Sequence, residues 1–379
     1  MRNIMRLGDV ASYVNGFPFK PSDWSDMGVP IIRIQDLTGN GYQMNRFDGK
    51  YDAKYEVRAG DVLISWSASL GVYVWKLETA VLNQHIFKVR FDKVDVDKDF
   101  FVYQVECLLK KAARQAHGAT MRHLTKPVFD GLPFYLPPKE EQKRIAVQLN
   151  AVSHLISLRQ QQAEKLDELD KARFVEMFGD PVRNTKLFPQ HELKEYIQFL
   201  TSGSRGWAKF FSDDGELFIT IKNVKNGHIN LSDIQHVMPP DNAEAKRTKV
   251  QAGDLLISIT ADLGRTGVVS DNLAQRGAYI NQHLTCIRLK KDEVLPQYVS
   301  AFLESAAGKR QFSAKNQSAV KAGLNFEAIK SLRLFMPPLE LQREYIAFVN
   351  EVDREKERIQ RSAALLETLK RSLMQQYFG

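Results

Sequence analysis

The strongest constraint in this sequence is that it matches itself. Ala59-Gly60-Asp61-Val62-Leu63-Ile64-Ser65 returns as Ala252-Gly253-Asp254-Leu255-Leu256-Ile257-Ser258, with six of seven residues identical. Leu70-Gly71 returns as Leu263-Gly264, and Asn83-Gln84-His85 as Asn281-Gln282-His283. Pro137-Pro138, followed by Glu140 and Gln142, returns as Pro337-Pro338, Glu340 and Gln342. Phe178-Gly179 and Phe378-Gly379 close the two stretches that follow. A tandem of two large units makes one polypeptide present two similar surfaces, which suits the reading of a two-part target.

The 379 residues suffice for two ordinary domains plus connecting structure. A hydrophobic fraction of 44% and a charged fraction of 26% describe a globular chain rather than a disordered one. Met1 to Val10 carries charges and Gly8 where the apolar core of a secretory signal would lie, so no leader is expected. No apolar run approaches the ~18 residues of a membrane span. Cys107 and Cys286 fall in different repeats without partners at metal-ligand spacing, which fits a reducing cytoplasmic compartment.

The formal net charge of +8 is unevenly spread. Residues 1–138 hold 18 Lys/Arg against 15 Asp/Glu, and residues 181–338 hold 21 against 15. The stretches 139–180 and 339–379 hold 7 against 8 and 7 against 7. All of the excess positive charge therefore lies in the two globular units, as suits domains that face a polyanion.

Each unit opens with a turn-rich, aromatic-rich segment, Asn15 to Asp26 and Ser202 to Asp214. Strands are expected at 31–37, 62–65 and 86–91, and again at 218–224, 255–259 and 284–289. Helices are expected at 100–116 and 296–312, followed by a polar loop and a last strand ending in Pro-Pro. After each Pro-Pro the period becomes helical, with acidic residues loading the first turn. Val352, Ile359, Leu366 and Leu373 recur every seven residues, with Ala363 and Leu369 between them. Val152, Ile156, Ala163, Leu166 and Leu169 form the matching seam, interrupted by Arg159 and Arg173. Heptads with flanking charges predict a coiled coil, and the two helices, each roughly 60 Å long, are expected to pair with each other in antiparallel fashion. The expected fold is thus α+β: strand-rich mixed α/β domains in tandem at 1–138 and 181–338, a central helix at 139–180 and a second long helix at 339–379.

These residues resemble the specificity subunit of Type I restriction-modification enzymes along essentially the whole chain. The resemblance rests on the duplicated Ala-Gly-Asp-x-Leu-Ile-Ser, Asn-Gln-His and Pro-Pro-x-x-x-Gln motifs, in order, and on Gly203-Ser204-Arg205-Gly206-Trp207-Ala208, which looks like the opening of one class of recognition domain. It implies a non-catalytic protein that reads a bipartite, asymmetric site on double-stranded DNA, with the helices setting the unread gap. It also implies docking of two methyltransferase subunits and of restriction/translocase subunits. S-adenosylmethionine and ATP would be bound by those partners, not by this chain, and an adenine would be flipped in each half-site.

If the halves read different sequences, residues identical in both cannot tell them apart. Asn-Gln-His and Ala-Gly-Asp are therefore expected to hold the fold or touch phosphate, with Gly60 and Gly253 at positive φ. Discrimination is expected in three pairs of divergent loops. Phe17, Lys20 and Trp24 stand against Ser204, Arg205, Trp207 and Lys209; Trp66, Ser67 and Ser69 against Thr260, Asp262 and Arg265. The third pair sets Arg114, His117, Thr120, Arg122 and His123 against Lys309, Arg310, Lys315, Asn316, Gln317 and Lys321. Arg and Lys donate to guanine O6 and N7 in the major groove, and an indole supports or wedges. About a third of these residues are expected to touch bases.

Enzyme signatures are missing: no phosphate loop, no Gly-rich turn suited to S-adenosylmethionine, and Leu136 and Met336 in place of the polar residue that would hold a flipped adenine before Pro-Pro. Asp180 with Glu192 and Lys194 mimics a nuclease set but has no counterpart in the first repeat, and His117 and His123 lack companions at metal spacing. Two rival readings stand beside the scaffold: a fused restriction-modification enzyme with its own activity, and a protein adaptor with no DNA role.

Overall fold

The computed structural model describes residues 3–41, 43–115, 124–316 and 323–379. The chain divides into two compact units, Met1–Gln161 with Ile359–Gly379, and Gln162–Arg358. Both cuts fall inside the long helices Lys139–Phe178 and Leu339–Phe378, so each unit is finished by the end of a helix that starts in the other.

The first unit carries β1 (Ile4–Arg6), β2 (Ser12–Asn15), β3 (Val29–Ile32), β4 (Arg46–Phe47), β5 (Glu56–Val57), β6 (Val62–Ser65), β7 (Gly71–Val74), β8 (Ala80–Leu82), β9 (Ile86–Arg90) and β10 (Pro133–Tyr135). Two four-stranded sheets have the orders β2-β9-β6-β7 and β4-β3-β8-β5, and β1 pairs with β10. The first of these sheets is covered on both faces. Val62 and Ile64 join Phe100, Phe101, Phe129 and Phe134 on one side, while Leu63 joins Ile32, Trp75 and Leu82 on the other. Alternate side chains leave a strand on opposite faces, so burial of both faces gives the unbroken apolar run Val-Leu-Ile.

The second unit repeats the plan with β11 (Gln190–Glu192), β12 (Ile197–Ser202), β13 (Phe211–Ser212), β14 (Glu216–Ile219), β15 (Val224–Lys225), β16 (His228–Ile229), β17 (Gln235–Val237), β18 (Leu255–Ser258), β19 (Thr266–Val268), β20 (Ala278–Ile280), β21 (Leu284–Leu289) and β22 (Arg333–Phe335). Its sheets run β12-β21-β18-β19 and β13-β17-β14-β20, with β11 on β22, and a β15-β16 hairpin is added. Leu255 and Ile257 pack with Tyr298, Phe302 and Phe312, and Leu256 packs oppositely with Leu217 and Ile280. No described helix is long and apolar enough to cross a membrane.

Three local expectations change. The strands expected at 31–37 and 218–224 stop at Ile32 and Ile219, because Asp36 and Asn223 accept the backbone N–H of Arg33 and Thr220 at 2.9 Å and close a helical turn. The helix expected at 296–312 is two helices, Pro296–Glu304 and Ala306–Lys315, broken at the extended backbone of Ser305. The inward seam of the long helices also differs. Leu169 and Leu369 are each 47% exposed, while Asp170 and Lys370 hold the partly buried positions beside them.

Polar groups on that seam are paired, which is how Arg173 fits into it. In the second unit Tyr345 donates to Asp170 at 2.8 Å, Arg173 lies 2.9 Å from Glu344, and Lys356 lies 2.7 Å from Asp167. Partner numbers fall on one helix as they rise on the other, so the helices run antiparallel. In the first unit Phe378 is buried with Phe100, Ile145 and Leu149. The duplicated glutamine anchors each long helix. Gln142 donates to Pro137 and accepts the N–H of Asp97, both at 2.8 Å; Gln342 donates to Pro337 and accepts from Leu295, both at 2.9 Å.

Candidate nucleic-acid interface

In each unit the Asn-Gln-His tripeptide ties three segments together through the backbone. Phe17 donates to Leu82 at 2.8 Å and accepts from Gln84 at 2.9 Å; Ser204 donates to Ile280 at 2.8 Å and accepts from Gln282 at 2.9 Å. Trp66 N–H donates to His85 at 3.2 Å, as Ile259 does to His283 at 3.0 Å. Leu124 then donates to Trp66 at 3.1 Å, and Leu324 to Ile259 at 2.9 Å. The opening segment, the loop after β6 or β18, and the loop before the last strand therefore converge at one end of each unit. Asn-Gln-His is the hub that holds them.

The hub is packed too closely for side chains at one neighbouring position. A β-carbon on Gly16 would lie 2.0 Å from the Asn83 carbonyl oxygen, and one on Gly203 would lie 2.1 Å from that of Asn281. Only glycine permits that approach. This equivalence was missed in the sequence because the flanking residues differ, Asn15 and Phe17 against Ser202 and Ser204.

The Ala-Gly-Asp turn feeds the next loop. Gly60 has φ +96° and Gly253 φ +82°. Asp61 accepts the Arg58 N–H at 2.8 Å and pairs with Lys88 at 2.7 Å. Asp254 accepts the Gln251 N–H at 2.7 Å and takes both arms of Arg288 at 2.8 Å. The Asp254 hydrogen bonds raise the Arg288 pKa. Burial, and then the Asp254 charge, push the Cys286 thiol well up, so it stays protonated.

Beyond the strand, Ser65 donates to the Ser69 carbonyl and Ser258 to the Asp262 carbonyl. Ala68 and Ala261 both adopt φ +57°, left-handed backbone in a residue with a β-carbon. Residues 66–70 run half-buried, half-buried, exposed, exposed, half-buried, and 259–263 follow the same order. One loop frame thus serves both units with different side chains. Its length is not the same. The ladder sets Gly71 opposite Ser65, whereas Thr266 stands opposite Ile257 and Arg265 accepts the Ser258 N–H and donates its own to the Ser258 hydroxyl, both at 2.9 Å. Gly71 therefore corresponds to Arg265, not to Gly264 as the sequence match suggests. The extra residue, Gly264, has φ +76°.

The residues expected to meet DNA sort into three groups. In the first unit Phe17 is 39% exposed against Phe19 and Tyr55, and Lys20, Trp24, Ser69 and Arg114 are exposed. Trp66 and Ser67 are half-buried, with the Trp66 indole donating to Asn15 at 3.2 Å and the Arg33 guanidinium 5.4 Å from the Trp24 ring. In the second unit Arg205, Lys209 and Asp262 are exposed, and Thr260 and Arg265 are half-buried, with the Thr260 hydroxyl 2.8 Å from His283 Nδ1. Asn316 accepts the Gly323 N–H at 3.2 Å, and Gly323 bridges to Thr260.

Other expected residues are buried or engaged with protein groups. Ser204 is 2% exposed and bonded to Thr248 at 2.9 Å; Trp207 is 3% exposed, donates to Glu244 at 3.0 Å and stacks on Phe218. They brace Arg205 and Lys209 against the helix Ala243–Thr248. Arg310 lines a cleft with Pro181, Gln190 and Arg333. Lys315 donates to Ser331 at 2.7 Å, and Lys309 lies 3.9 Å from Glu304. His117, Thr120, Arg122, His123, Gln317 and Lys321 lie outside the described residues.

Comparison with known proteins follows the same division into two. Residues 3–168 and 191–367 each match the family model described as Type I restriction modification DNA specificity domain. The type I restriction enzyme EcoBI specificity subunit of Escherichia coli is 22% identical over 373 residues, covering 91% of this chain and 78% of that protein. A solved structure reported for complex assembly and conformational transition of the type I R-M system superposes with a TM-score of 0.59 at 17% identity, covering 99% of this chain and 97% of the other. The crystal structure of a Type-I restriction-modification S subunit from M. genitalium gives 0.52 at 15% identity, covering 99% and 95%.

Proposed function

This chain belongs to the Type I restriction modification DNA specificity family, and from that premise we propose that it reads a bipartite DNA site, one half with each unit, and performs no chemistry itself. The observation that carries this reading is the repeated hub. One backbone frame is built twice, and the side chains it exposes differ between the copies, as required of two readers with unlike targets. The basic excess of both units supplies the sequence-independent attraction to phosphate on which base reading is superimposed.

Methyltransferase and restriction/translocase subunits are the partners in this proposal, and they bring S-adenosylmethionine and ATP. Support comes from the family: a solved structure that superposes over 99% of this chain was reported for complex assembly of the type I R-M system.

The test has two arms. Incubated alone with DNA and labelled S-adenosylmethionine, the purified chain is expected to transfer no methyl group; transfer would establish the rival fused enzyme. Assembled with methyltransferase subunits, it is expected to bind DNA with an affinity that falls by orders of magnitude from low to moderate salt. Assembly with those subunits but no affinity for DNA even at low salt would favour the protein adaptor.

A further inference from the structure

Resting on the reading above, we propose that Arg265, held by Asp262, reads a guanine in the half-site of the second unit, and that Tyr73 fills the equivalent place in the first unit. The argument begins with the register correction. Arg265 occupies the position of Gly71 at the start of the edge strand, and Gly267 occupies that of Tyr73. In the first unit a β-carbon on Gly71 would lie 2.4 Å from the Tyr73 hydroxyl, so the phenol leans back over the glycine toward the loop. In the second unit the two roles are exchanged: the large side chain is at the first position and the glycine is two residues later. Each unit therefore places one long polar side chain at this corner, phenol in one and guanidinium in the other.

The faces agree. Val72 and Val74 pack into the core beneath the helix Lys98–Gln115, and Thr266 bonds to Ser300 at 2.7 Å on the helix Pro296–Glu304. Gly71, Tyr73, Arg265 and Gly267, one residue out of phase, belong to the opposite face of the sheet. The extra residue Gly264, at φ +76°, lengthens the second loop immediately before Arg265.

Chemistry assigns the base. The Arg265 guanidinium contacts the Asp262 carboxylate, and Asp262 itself is 59% exposed. The Arg265 side chain is 32% exposed; a carboxylate that fixes one arm of a guanidinium restricts its rotation and leaves other donors available for guanine O6 and N7. Tyr73 offers a single hydroxyl with no fork, so it cannot make that bidentate pair. The corner thus gives the two halves different requirements from one position in the frame.

Methylated adenines are to be mapped in DNA exposed to the complex of the full chain with methyltransferase subunits, for wild type, Arg265→Gln, Arg265→Ala and Tyr73→Phe. Either Arg265 variant is expected to relax one guanine-requiring position in one half-site by roughly 10-fold or more, leaving the other half unchanged. Tyr73→Phe is expected to leave that half-site intact and to alter the opposite one. Uniform loss of methylation across sequences, or full retention of both half-sites by a folded Arg265→Gln complex, would overturn the inference. A wild-type complex that methylates no two-part site would instead remove the reading on which the inference rests.

Discussion

Asp61 and Asp254 close the same turn at different depths, and their energetics should differ accordingly. The Asp254 side chain is fully buried against Arg288, whereas that of Asp61 is 28% exposed beside Lys88. The two cations are about equally exposed, Arg288 at 22% and Lys88 at 17%, but Asp254 takes two hydrogen bonds from its partner in a fully buried site, whereas Asp61 keeps contact with water. Asp254→Asn is expected to cost about 2–3 kcal/mol and Asp61→Asn about 1 kcal/mol or less, measured by denaturant unfolding; equal costs would contradict the difference in burial. The motif was legible in the sequence because both copies keep it. Whether a loop residue is exposed or packs inside was not. Ser204 and Trp207 look like Arg205 and Lys209 by position, but Thr248 and Glu244, some 40 residues away in the chain, draw the first two inside. Local sequence carries no signal of that contact.

Strands and helices divide in the same way. Central strands were recognisable as β-branched runs, because burial on both faces leaves nothing polar between the apolar residues. Their ends were less so: a single Asp or Asn side chain capturing a backbone N–H stops β3 and β14. In the long helices the heptad was visible but its phase drifted. A leucine on the flank mimics a seam position when the true position holds a paired Asp or Lys. Ile156, 7% exposed, is on the seam, and Leu169, 47% exposed, is not. Ile156→Ala is therefore expected to destabilise the chain by about 2–4 kcal/mol, and Leu169→Gln by no more than about 0.5 kcal/mol. Thermal unfolding of both variants checks the phase, which would be wrong if Leu169→Gln were the more damaging.

The molecule as a whole was the most legible of all, because duplication is a property of sequence order and needs no contact to be seen. What duplication hid was the insertion. The match steps from an offset of 193 at Ala-Gly-Asp to 198 at Asn-Gln-His, but only the strand ladder shows that one of the added residues is Gly264. Two copies of one frame, each with its own exposed residues, make the two halves of the target separable. The direct measurement is to replace residues 185–336 with the recognition domain of another family member and map methylated adenines produced by the assembled complex. One half of the target should change completely while the other is kept base for base. Change in both halves, or in neither, would contradict independent reading by the two units.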